Sequence, residues 1–312
     1  MSEPHRSRRG FLAALGGAAA LSTSGTATAS PSVGTSSSSA GTTPLTVGTA
    51  RSKPAGERTA TLHVRVYPGP TPESVRTVHG WSRVHLEASY AVLEALRTLA
   101  VYTRTTTDLD RVYPRLEPMA PVDLPLGRPP FEEVAERFRE AVREREADTG
   151  DCCHLLLWWE PLNHDVGYGG TRLETSRVAR RSDEGGHTVA NVGATERWDS
   201  RAVTRNIAIH EVLHTFVSPD VVEEVIDSRC DHDLGSAVRS GKRLTVSPLA
   251  TAYAGPERVG GGTQFHGTGC YDHDSFHRHD GYEGVEEFVY TSRLSEAALE
   301  AVSIYVDRYL GD

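Results

Sequence analysis

The chain has 312 residues, with 42 acidic against 33 basic side chains and a formal charge of −9. An apolar share of 38% is enough for a hydrophobic core, and the length allows one large domain or two small ones after a leader is set aside. Excess negative charge without a basic stripe excludes a nucleic-acid binder, which must neutralise phosphates, and the chain has no P-loop, dinucleotide fingerprint or G-x-S-x-G elbow.

Residues 1–29 read as an export address. Ser7-Arg8-Arg9-Gly10-Phe11-Leu12 is a twin-arginine pattern, followed by a weakly apolar run from Phe11 to Leu21 and the small-residue site Ala27-Thr28-Ala29. The run is about half of what a membrane-crossing helix needs. Cleavage after Ala29, a mature chain without a transmembrane segment, and a secreted or cell-surface location are therefore expected. Residues 30–57 are dominated by Ser, Thr, Gly and Ala, which cannot bury enough surface to fold and predict a disordered spacer. A globular pattern follows from about 58 to 312, expected to form a single domain.

Thr61-Leu62-His63-Val64-Arg65-Val66-Tyr67 alternates with period two and stops at Pro68-Gly69-Pro70, which predicts a strand and a turn. Helical spacing of apolar residues covers 82–100, and a charged helix is predicted over 131–147, just after Pro129-Pro130. The largely apolar run 153–159 predicts a buried central strand, with Trp158 and Trp159 in the core. Short Gly-punctuated strands are expected over 167–173 and 188–195. Asp199 or Ser200 can cap a helix running to about Phe216. A short acidic helix near 221–226, a long Gly-rich irregular region and an amphipathic helix over 295–310 complete the pattern. Early alternation of strands and helices followed by loops predicts an α+β fold.

Export implies an oxidising compartment, and four cysteines allow three pairings. Adjacent cysteines rarely bond each other because the geometry strains the intervening peptide. Cys230 is expected to pair with Cys270, and Cys152 and Cys153 to be buried thiols. No C-x-x-C spacing supports a cysteine zinc cluster.

The chemistry centres on His210-Glu211-Val212-Leu213-His214. Two histidines four apart stand above one another on one helix face, within reach of a single ion. Glu211, one step along, is placed to reach a water on that ion and take its proton. Zinc is the metal expected of such a donor set, and it needs a third protein ligand. His232, in Cys230-Asp231-His232-Asp233, is one candidate, with Asp231 or Asp233 placed to orient its ring. Asp220, Glu223, Glu224 and Asp227 are the others.

The motif resembles that of the metzincin zinc proteases, whose pattern places a glycine three residues after the second histidine and a third ligand three beyond it. Here Val217 stands at the glycine position and Asp220 at the ligand position. A β-branched residue resists the positive φ that the glycine supplies, which shifts the expectation for the third ligand towards His232. Val246-Ser247-Pro248-Leu249-Ala250-Thr251-Ala252-Tyr253 is similar to the family's turn beneath the metal, with Leu249 where a methionine sits. The resemblance implies a metzincin-like catalytic domain, with a small mixed sheet packed on the active-site helix and an irregular C-terminal part ending in a helix. It implies Glu211 as general base, Tyr253 as an oxyanion donor, and a monomer acting on a peptide or protein substrate. Two other readings share the metal: a non-catalytic surface or binding protein, and a zinc amidase acting on non-protein amides. The His- and Asp-rich segment 265–280 and Asn163-His164-Asp165 read as hydrated polar loops.

Overall fold

The computed structural model describes residues 56–125, 127, 129–160, 169–171, 177–180, 182–193, 200–250, 278–281 and 283–312. The first strand, β1 (Thr59–Pro68), has both faces covered. Leu62, Val64 and Val66 enter one apolar cluster, while Tyr67 enters another on the opposite side of the sheet. A two-residue hairpin, β2 (Thr77–Val78) and β3 (Trp81–Ser82), leads into helix α1 (Arg83–Thr106). Ser82 caps α1: its hydroxyl accepts the His85 N–H at 3.4 Å, and His85 Nδ1 accepts the Ser82 N–H at 3.3 Å.

Next come β4 (Arg111–Pro118), α2 (Phe131–Glu144) and β5 (Cys152–Trp158). All seven residues of β5, His154 included, are buried, as its largely apolar run predicts, and it lies at the centre of the sheet. Each fully buried leucine there contributes about 1.5–3 kcal/mol of transfer free energy. β6 (Gly169–Thr171) and β7 (Gly186–Asn191) complete a five-stranded sheet of order β4-β1-β5-β7-β6. Pairing is parallel except for β6, which runs antiparallel to β7 at one end. β4, which the sequence reading did not foresee, carries Pro114 and Pro118; an edge strand tolerates them because one side of its ladder needs no donor.

Helix α3 (Arg201–His214) packs against α1 and the sheet, and α1 also packs against the last helix, α5 (Glu296–Tyr309). These three helices cover one face of the sheet. On the other face α2 lays Val134, Phe138 and Val142 on Tyr67, Leu156, Trp158 and Val189. After α3 come α4 (Pro219–Ile226), with Pro219 in its first turn, and a 3-10 turn over Asp231–Leu234.

The region expected to be irregular holds a second sheet. β8 (Ser236–Ser240) and β9 (Arg243–Val246) form a hairpin, flanked by β10 (Arg278–His279) and β11 (Glu287–Tyr290) in the order β10-β8-β9-β11. These strands are too short and too polar to show an apolar period of two. Asn206 ties α3 to this sheet, its Nδ2 donating to the carbonyls of Val246 at 3.2 Å and Thr291 at 2.9 Å. The architecture is mixed α+β, with five α-helices among the described residues. Among those residues no helix is long and apolar enough to cross a membrane. Cys152 and Cys153 are free and buried; Cys270, the expected partner of Cys230, lies outside the described residues, as do Tyr253 and Asn163-His164-Asp165.

Candidate metal centre

Every residue of α3 from Asn206 to His214 is buried, so the helix presents His210 and His214 inside the protein. Their ring centroids are 4.6 Å apart, edge to face, the proximity that four-residue spacing dictates. The 3-10 turn brings His232 to the same place, its ring 5.1 Å from His210 and 4.8 Å from His214. One donor atom from each of the three histidines lies within 4.8 Å of the other two.

Asp231 accepts a hydrogen bond from His214 Nδ1 at 2.6 Å, which fixes the tautomer and leaves Nε2 for a ligand. The sequence reading placed Asp231 or Asp233 beside His232. Instead Asp231 serves His214, standing 3.7 Å from His232 Nδ1, while Asp233 accepts from Ser228 at 2.5 Å.

Burial and the neighbouring imidazoles lower the pKa of His210 well below the ordinary value. Burial and His214 lower that of His232 to about 4. Burial also opposes charge on His214, but Asp231 outweighs it and raises the His214 pKa. Asp231 pays the same desolvation, yet His214 holds its carboxyl far below the usual range.

Glu211 is fully enclosed beside this triangle. Thr171 Oγ1 donates to its Oε2 at 3.0 Å, and Thr188 Oγ1 stands at 3.1 Å. The two threonines are register partners across β6 and β7, which puts both on the face that meets α3. Gly169 packs so closely that a Cβ there would lie 2.2 Å from Glu211 Oε1. Burial lifts the Glu211 pKa to about 7, against the pull of His214 and the two hydroxyls. None of Gly169, Thr171 or Thr188 carries a motif, and only the strand pairing reveals them.

The acidic alternatives are engaged elsewhere. Asp220 lies exposed on α4, accepting from Tyr309 Oη at 3.0 Å and Arg308 at 3.4 Å. Glu223 pairs with Arg229 at 2.6 Å and Glu224 with Arg308 at 2.7 Å. Asp227 caps the C-terminus of α4 at φ 56°. Val217 is not left-handed, whereas Asp227, at the end of α4, is. Asp220 lies between them on α4, away from the three histidines. Leu249 is fully buried at φ 71° within the cluster that includes α3, and the adjoining Ala250 backbone presses on Gly235, where a Cβ would meet its nitrogen at 1.9 Å. The turn thus sits directly behind the segment that carries His232.

No family model matches the chain, and no curated protein matches it. Among solved structures it is similar to metalloproteinase-II from Bacteroides fragilis, at 12% identity and TM-score 0.35, over 51% of this chain and 42% of that one. It is also similar to a chain in the structure of a chaperone-substrate complex, at 16% identity and TM-score 0.36, over 80% of this chain and 35% of that one. The chain thus spans less than half the length of either.

Proposed function

We propose that the chain is an exported zinc-dependent metallopeptidase, with residues 58–312 as its catalytic domain behind a leader at 1–29 and a spacer at 30–57. The observation that carries this reading is the juxtaposition of three imidazole donors within 4.8 Å of one another and the enclosed carboxylate of Glu211. The donor set fits zinc: three imidazole nitrogens, one oriented from behind by a carboxylate, are the ligand types and number of a catalytic zinc site. When bound, zinc lowers the pKa of a water towards about 7 and polarises a carbonyl.

His210, His214 and His232 would hold the ion. Glu211 takes a proton from the attacking water as the carbon–oxygen bond forms, and gives it to the amine nitrogen as the carbon–nitrogen bond breaks. Its enclosure raises the proton affinity of the carboxylate in the metal-free chain. The threonine hydroxyls on Oε2 hold the carboxylate in one orientation. Tyr253 is assigned to the developing oxyanion. β6 ends the sheet and supplies Gly169 and Thr171 beside Glu211, so an extended peptide can add along that edge.

The test is Glu211→Gln in the full chain, with bound metal measured beside casein and peptide hydrolysis. Metal occupancy is expected to stay and turnover to fall by at least about a thousandfold. Wild-type protein that carries metal but cleaves neither substrate makes this a binding protein, and one that cleaves only non-protein amides makes it an amidase. His232→Ala is expected to lose the ion and Asp220→Ala to keep it.

A further inference from the structure

A second cluster of metal-binding side chains lies on the other face of the main sheet, against α2. His154 on β5 and His187 on β7 are register partners, with rings stacked 4.9 Å apart and 17° from parallel. Asp148, in the connection between α2 and β5, closes the cluster. Its Oδ1 stands 3.6 Å from His154 Nε2 and its Oδ2 3.4 Å from His187 Nε2.

Side-chain exposure is 0% for His154 and 8% for each of the other two. Three polar atoms converge there without a hydrogen-bond partner: Asp148 Oδ2, His154 Nε2 and His187 Nε2. Such buried atoms are costly unless something satisfies them. Neither pair makes a hydrogen bond at these separations. The separations are close to the roughly 3.3 Å between neighbouring ligands of a tetrahedral zinc ion with bonds of about 2.0–2.1 Å.

We propose that Asp148, His154 and His187 form a second site for a divalent transition-metal ion, zinc by its nitrogen and oxygen donors. Bound there, the ion would staple the α2–β5 connection to β5 and β7.

The surroundings are built for it. Tyr67 Oη bonds His154 Nδ1 at 3.1 Å and so fixes which nitrogen faces the centre. The Gly185 N–H donates to Asp148 Oδ1 at 2.8 Å, orienting the carboxylate. Gly185 has no room for a side chain, since a Cβ would lie 2.9 Å from His154 Cδ2 and closer still to two carbonyl oxygens. Phe138 meets the His187 ring edge-on at 6.0 Å. Burial lowers the pKa of both histidines and keeps them in the neutral form that binds metal. Arg143, 3.9 Å from Asp148 Oδ2, is already paired with Glu184. The site does not depend on the proposed peptidase centre, because His154 faces α2 while its strand neighbours Cys153 and Leu155 enter the cluster that contains α3.

The experiment titrates metal-free full-length chain with Zn²⁺ and counts equivalents, with Co²⁺ absorption reporting tetrahedral geometry. Wild type is expected to bind two equivalents. A His210→Gln/His214→Gln double variant is expected to keep one, with tetrahedral Co²⁺ bands, and His154→Gln/His187→Gln to lose that one. A folded His210→Gln/His214→Gln chain that binds no zinc overturns the proposal without touching the new site. So does wild type binding a single equivalent that this double variant abolishes. A single wild-type equivalent removed only by His154→Gln/His187→Gln upholds this site and rejects the His210 centre.

Discussion

Gly169 shows how narrowly single residues define the proposed peptidase centre. Because a Cβ at this position would meet Glu211 Oε1 at 2.2 Å, Gly169→Ala must push the carboxylate aside. A displacement of about 1 Å at a reacting group can cost on the order of a hundredfold in rate. Gly169→Ala is therefore expected to lower kcat by about that factor while metal content stays at the wild-type level; unchanged kcat would remove Glu211 from the chemistry. Asp231 would act on the proposed ion instead of on a substrate. Its 2.6 Å bond to His214 Nδ1 sets the tautomer that frees Nε2, so Asp231→Asn should weaken zinc about 10–100-fold in a chelator competition, with circular dichroism unchanged. His210, Glu211 and His214 of the candidate site were legible in the sequence because four-residue spacing brings the two rings together on one helix face. His232 was legible only as one of several candidates, and Gly169, Thr171 and Thr188 not at all, since they reach Glu211 through strand pairing and not through spacing.

At the scale of elements, long or strongly periodic segments were readable and short polar ones were not. β1, β5, α1, α2 and α5 follow their apolar patterns closely. β4 was hidden by its two prolines, and the second sheet by strands of two to five residues. α1 carries a testable device at its start. His85 is fully buried among Trp81, Trp159 and the Ser82 cap, and burial lowers its pKa from 6.5 to about 4. The folded state holds His85 neutral, so between pH 6.5 and 4 the unfolded chain binds the extra proton and stability falls as pH falls. The contribution is complete above pH 6.5, lost below about 4, and amounts to about 3 kcal/mol. Urea unfolding at pH 7 and pH 4 should show a smaller loss in His85→Gln than in wild type, by up to that amount. Equal losses in the two proteins would mean that His85 takes up its proton at the same pH in the folded and unfolded chain.

The whole molecule joins these elements through α3. Asn206 fastens the helix to the second sheet, and the turn at Leu249 and Ala250 presses on the segment that carries His232. An ion on His210, His214 and His232 would cross-link α3 to the chain between α4 and β8, and so tie the main sheet's helical layer to the C-terminal sheet. Unfolding separates those ligands, so the ion binds only the folded state and stabilises it by mass action. With free zinc at a hundredfold excess over its Kd, that is about 2.7 kcal/mol, or about 5–10 °C in Tm for a folded unit of this size. The comparison must isolate this centre from the one proposed on the opposite face of the sheet. Chelation should therefore lower the Tm of wild type by about 5–10 °C more than that of His232→Ala, because the variant retains Asp148, His154 and His187 and lacks only the α3 cross-link. Scanning calorimetry with and without chelator measures the difference directly. Equal decreases in the two proteins, with metal loss verified, would show that these three histidines lie close together without holding the two halves of the fold through a shared ion.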